Sequence, residues 1–148
     1  MRSQPSPISF APAALLVAIA TLALAGQAVA QSSDAPAADP PLSTEAFEAF
    51  VEGRTMDTHD QTGRYGVETF LPGRRAIWRD AEQCLEGTWR PEGDQICFDY
   101  QGDPFQYCWT YHDRGDWLMG WLDGDRSSEP IMLYPADEVV TCEGYFGV

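Results

Sequence analysis

The sequence predicts an all-β domain: an antiparallel meander of about eight short strands, as a curled sheet or a small up-and-down barrel, with one short N-terminal helix. Three observations carry that expectation. From residue 54 onward the side-chain pattern has a period of two. Clusters of Gly, Pro, Asp and Ser interrupt it at intervals too short for crossover helices. Four cysteines, Cys84, Cys97, Cys108 and Cys142, all fall in the same region, an even set suited to two disulfides.

The 148 residues suit one domain, preceded by segments that do not join its core. Residues 1–30 read as a signal peptide. Arg2 is their only charge, an apolar stretch runs from about Ala11 to Ala25, and Ala28-Val29-Ala30 supplies the small-x-small pattern for cleavage after Ala30. The run is rich in Ala and is not followed by Arg or Lys, so it reads as a cleaved leader that leaves no membrane anchor. A leader and paired cysteines together place the mature protein in the periplasm or outside the cell. Residues 31–41, QSSDAPAADPP, have no large apolar side chain and read as a disordered linker. The disulfide-stabilised β domain then spans residues 42–148.

A helix opens that domain. Ser43 is its cap, Glu45 suits its positive end, and Phe47, Phe50 and Val51 share one face. Leu42 precedes the cap and can pack on Phe47, while Gly53 ends the helix. Strands follow near 54–59, 64–71, 74–79, 85–90, 95–101, 106–112, 117–122 and 129–134. Their turns are Asp60 to Gly63, Pro72-Gly73, Pro91 to Asp94, Gly102-Asp103, Asp113 to Asp116 and Asp123 to Ser128.

Residues 95–113, QICFDYQGDPFQYCWTYHD, form the densest stretch and read as a hairpin. Ile96, Phe98 and Tyr100 share one face of the first strand, as do Tyr107, Trp109 and Tyr111 on the second. A tight turn at Gly102-Asp103 sets Phe98 opposite Tyr107 and Cys97 opposite Cys108. In the preceding hairpin a four-residue loop, Pro91 to Asp94, would set Trp89 opposite Ile96, leaving Cys84 about 13 Å from the partner of Cys97 by strand rise. The expected pairs are therefore Cys97–Cys108 and Cys84–Cys142. Trp78, Trp89, Phe98, Trp109 and one of Trp117 or Trp121 are core candidates. An aromatic barrel mouth is also a pocket, and Trp117, Trp121 and Tyr111 are the candidate binding residues.

Charge narrows the partners. The formal net charge is -14, every basic residue is an arginine, and loss of Arg2 with the leader leaves eight arginines against 23 acids. Such a surface repels nucleic acid and anionic headgroups and suits a cationic protein. His59 in THD and His112 in YHD could each supply a base or a metal ligand, but lone histidines at strand ends are more simply surface residues. DGDRSSE, residues 123–129, lacks the alternating acids and closing glutamate of a calcium loop and reads as an acidic turn. Arg74 and Arg75 in PGRR alternate in direction, so one can meet a buried acid, although a solubilised strand edge is the simpler reading. No nucleophile elbow or phosphate loop is present, no C-x-x-C pair seeds a zinc site, and no cofactor is expected.

The series PGRRAIW, CLEGTW, QICFDY and QYCW resembles a group of small exported four-cysteine bacterial proteins of unknown function. They carry a Gly-x-Trp, then an (I/L)CF, then a further Cys followed by an aromatic. The resemblance covers about residues 45–148 and implies export and a barrel fold. It is similar to lipocalin-like barrels in architecture only, because Gly87-Thr88-Trp89 sits mid-chain instead of opening the first strand. The resemblance implies no activity. The residues point to an exported non-enzymatic domain that binds a partner protein or a small apolar or sugar ligand. The alternative is a hydrolytic or metal-dependent enzyme using His59 or His112 with nearby carboxylates.

Overall fold

A computed structural model describes residues 38–145. Helix α1 spans Thr44–Val51. Eight strands follow: β1 Thr55–Asp60, β2 Gly63–Leu71, β3 Arg75–Asp80, β4 Cys84–Glu92, β5 Gln95–Tyr100, β6 Gln106–Asp113, β7 Leu118–Leu122 and β8 Ile131–Ala136. Each strand pairs antiparallel with the next, and β8 returns to β1, so the sheet is a closed barrel and not an open curl. Thr55 opposite Ala136 and His59 opposite Met132 close the ring. Closure leaves no unpaired edge for another chain to add to. The leader assigned to residues 1–30, and the linker as far as residue 37, lie outside the described residues.

Alternation sorts the side chains. Met56, Phe70, Ala76, Trp89, Ile96, Phe98, Tyr111, Leu118, Ile131 and Leu133 form the buried core. Helix α1 plugs one end of it. Ser43 caps the helix by accepting a hydrogen bond from the Ala46 amide, and Gly53, at φ +74°, stops it in a conformation that suits glycine. The Gly53 amide then donates to the Phe70 carbonyl, fastening the helix to the end of β2. Phe47 is fully buried, with its ring 4.6 Å from Tyr111, 5.3 Å from Trp89 and 5.9 Å from Phe70. Burying such a ring contributes about 2–3 kcal/mol. Arg74, in the turn before β3, pairs with Glu48 of the helix and lies over the Trp89 ring. It thus meets an acid on the helix, not one inside the barrel.

Hairpin β5–β6 has the expected register, with Cys97 opposite Cys108 and Phe98 opposite Tyr107. The disulfides join Cys97 to Cys108 and Cys84 to Cys142. Hairpin β4–β5 differs from the sequence reading by two residues. Trp89 faces Phe98, not Ile96, because the turn is the tight Gly93-Asp94 and β4 continues through Pro91 to Glu92. The faces are preserved and Cys84 moves still farther from Cys97. Trp109 is only half-buried: it packs against the core and also lines a cavity at the barrel's open end.

Two segments cover the outside. After β8 the chain packs over β2: Val140 is buried and its amide donates to Thr69 Oγ1. Cys142 ties this tail to the start of β4, and the Tyr145 hydroxyl donates to the Asp80 carbonyl. On the opposite side residues 38–41, assigned to the linker from sequence, rest on the barrel. Asp39 bridges Arg114 and Arg126, and the Leu42 amide donates to the Tyr111 carbonyl. His112 is buried beneath this segment, not exposed as expected. Trp121 lies edge-on to it at 5.1 Å and Asp39 Oδ1 is 3.5 Å from its Nδ1.

Candidate functional site

The end of the barrel opposite the helix holds a cavity of about 220 Å³. Its walls come from inward positions that share a phase along their strands: Glu68, Trp78, Phe98 and Tyr100, then Tyr107, Trp109 and Tyr111. Tyr65, Asp80, Gln83 and Asp103 stand at its mouth, and Thr58, Leu85, Ile131 and Leu133 complete the wall. Among the described residues, no arginine, histidine, serine or cysteine lines it.

Two of the aromatic walls are seated on glycines. Any Cβ at Gly66 would collide with the Trp78 ring, and one at Gly87 would lie 2.6 Å from the Tyr100 ring. A glycine inside a strand is the usual accommodation for such a close approach. The polar edges of the walls are held by rim acids. Trp78 Nε1 donates to Asp80 at 2.9 Å, and the Tyr107 hydroxyl donates to Asp103 at 3.0 Å. Asp80 also accepts the Glu82 and Gln83 amides. Burial works against its charge, but these bonds and that from Trp78 outweigh it and hold the carboxyl below its usual range.

Glu68 is the exceptional group. It lies opposite Trp78 in the β2–β3 register and is buried, and no arginine or histidine pairs with it among the described residues. The Tyr100 hydroxyl donates to its Oε1. Burial pushes its carboxyl up to about 7, and the Tyr100 bond only partly offsets that. Burial also lifts the Tyr100 and Tyr111 hydroxyls well above their ordinary value, and raises Tyr65 to about 12. At neutral pH the tyrosines are therefore uncharged, and Glu68 is poised between its two forms. No family model matches the chain, and neither a curated protein nor a solved structure matches it. What the fold carries of the resemblance to small exported proteins is the barrel architecture.

Of the three binding candidates named from sequence, the structure brings only Tyr111 to the cavity. There it is buried, with its ring stacked on Phe47. Trp117 leans on Tyr134, and Trp121 packs beside His112 beneath the Arg126 guanidinium; neither lines the cavity. Phe98 and Trp89 are core as expected, whereas Trp78 and Trp109 are half-buried cavity walls. His59 sits edge-on to Tyr134, outside the cavity. Desolvation and the Arg126 charge lower the pKa of His112, which stands in a structural cluster and not in a cleft. Glu92 approaches Cys97 and Cys108, but those two sulfurs are bonded to each other and are not metal ligands. In the 123–129 turn Asp125 spends its carboxylate on the Ser127 amide and hydroxyl.

Sequence reasoning missed Glu68, the group with the most chemistry. Its phase, two residues from Phe70, is shared in the sequence by Arg64, and the opposite set Tyr65, Val67, Thr69 and Leu71 is the more apolar, so alternation alone did not single it out.

Proposed function

We propose that this chain is an exported, disulfide-stabilised binding domain that holds a small ligand in the mouth of its barrel without transforming it. One observation carries the reading: an aromatic cavity of about 220 Å³ with a buried carboxyl in its wall. Dry engineered cavities of about 150 Å³ take up benzene, and drug-sized sites run from about 300 Å³. The volume thus suits a compact molecule of one or two rings. It favours a small-molecule ligand over a cationic protein as the main partner.

The hydrolytic alternative loses its support in the placement of His59 and His112, neither of which reaches the cavity. A carboxyl titrating near neutrality also suits a general acid or base. Here its hydrogen-bonded neighbour is a tyrosine, and among the described residues no histidine, serine or cysteine stands with it in the wall. Export rests on the leader pattern of residues 1–30 and on the two disulfides, which are typical of periplasmic and extracellular proteins.

Ligand-observed NMR with indole, a neutral probe of suitable size, tests the pocket. Saturable one-to-one binding is expected, and Leu85→Trp should abolish it by filling the cavity at a cost of about 1–3 kcal/mol of stability. Indole binding that survives Leu85→Trp would place the site elsewhere. Intact-mass analysis of the protein from its native envelope should show a chain beginning at Gln31; retention of residues 1–30 would refute export by cleavage.

A further inference from the structure

We infer that the cavity is built for an organic cation, an ammonium group carried on a flat apolar body, with Glu68 as its counter-ion; this rests on the pocket reading above. Three features converge on that chemistry. The wall's charged groups are all acidic: Glu68 within, Asp80 and Asp103 at the mouth, with no arginine or histidine to answer them among the described residues. The indole N–H of Trp78 and the hydroxyl of Tyr107 are turned to the rim acids, and the hydroxyl of Tyr100 to Glu68. Those three polar ends are thereby engaged, in a lining rich in aromatic rings, the side chains whose π systems attract ammonium groups. Glu68 itself is buried without a basic partner, so its charge is costly until a cation supplies one. An anionic ligand would meet three carboxyls and no cation. A neutral ligand could donate hydrogen bonds to these carboxyls but would bring no charge to balance Glu68. The surplus of 23 acids over nine arginines steers the same kind of ligand toward the protein.

The experiment compares three probes of one shape by calorimetry at pH 8: benzylamine, benzyl alcohol and benzoate. Benzylamine should bind at least about tenfold more tightly than benzyl alcohol, and benzoate should not bind. In Glu68→Gln, which retains an oxygen for the Tyr100 hydroxyl, the amine-to-alcohol ratio should fall to about one. Below pH 7 the amine should lose about tenfold in affinity per pH unit as Glu68 protonates, while remaining an ammonium itself. The other titratable groups around Glu68 are the hydroxyls of Tyr65, Tyr100, Tyr107 and Tyr111 and the carboxyls of Asp80 and Asp103. The raised tyrosines do not titrate in this range, and Asp80 is held below it. Equal affinity for amine and alcohol, or an amine preference that survives Glu68→Gln, overturns the cation inference and leaves the pocket standing. Failure of all three probes, and of indole, overturns both. Circular dichroism checks that the variant keeps the barrel.

Discussion

Replacing Glu68 by Gln should stabilise the ligand-free protein, and increasingly so as the pH rises. Folding moves the Glu68 carboxyl from an ordinary value of 4.5 to about 7, chiefly by burial. The folded protein therefore holds this proton more tightly than the unfolded chain does. Below pH 4.5 both states are protonated and the group contributes nothing to the balance. Between 4.5 and 7 stability falls with pH, and above 7 the fold carries the whole cost of a buried charge. At 1.36 kcal/mol per pKa unit that cost is about 3 kcal/mol, a large part of the roughly 5–15 kcal/mol available to a domain. Gln has no charge to bury and keeps an acceptor for Tyr100. Urea unfolding of both proteins at pH 4.5 and pH 8.5, followed by tryptophan fluorescence, reads the effect from midpoints at constant slope. His112 has the opposite sign: its pKa is lowered, so the fold loses stability as pH falls through 6.5. Both proteins carry His112, so it cancels in their difference. The variant should gain about 3 kcal/mol on the wild type between the two pH values. A stability difference that is the same at both would refute the burial argument for Glu68.

Phe47→Ala removes the plug of the barrel and should cost about 3–5 kcal/mol in urea unfolding, with Trp89 newly open to acrylamide quenching. Trp109→Ala should cost less than a core aromatic, about 1–2 kcal/mol, because the ring lines a cavity, while weakening any ligand held there. Serine at both Cys97 and Cys108 should lower stability by about 3 kcal/mol without unfolding the barrel. Serine at both Cys84 and Cys142 should lower it by about 4 kcal/mol, because the bridge closes a longer loop, and should speed amide exchange across residues 137–145. Asp39→Ala should cost about 1 kcal/mol, as befits partly exposed ion pairs, and its signature is faster exchange of the Leu42 amide, with the Arg114 and Arg126 contacts gone.

The strands were legible because alternation is local. The β5–β6 register followed from two largely aromatic triplets, Ile96, Phe98, Tyr100 and Tyr107, Trp109, Tyr111, that both had to face inward, and it carried the Cys97–Cys108 pair with it. The β4–β5 turn was misplaced because Pro91 reads as punctuation. In the structure the turn falls at Gly93, at φ +65°, and β4 runs on through the proline. Closure was not legible, since it rests on hydrogen bonding between β1 and β8, at opposite ends of the domain. Alternation also separates two faces without saying what covers the outer one. His112 and Trp121 point outward and would be exposed but for Asp39 and the two arginines gathered over them. Likewise Thr69, on the outer face of β2, is buried where the returning tail donates the Val140 amide to it. Glu68 was hidden by its own residue type and by its strand, since Tyr65, Val67, Thr69 and Leu71 form the more apolar set and alternation then points Glu68 outward.

Pairing between β1 and β8 sets the timing of assembly. Every other ladder joins neighbours in sequence and can form as soon as the second strand exists. The closing ladder joins residues 55–59 to residues 132–136, so a chain made from its N-terminus can build seven strands and still have two open edges. During that interval the inner face and both edges are exposed to other chains, the condition under which slow β-topologies aggregate. Cys142 emerges later still, and its bond to Cys84 sets the tail over a barrel that has already closed. Cys84 is thus made 58 residues before its partner, with Cys97 and Cys108 both nearer in sequence. Thiol-exchange catalysts should therefore raise its refolding yield.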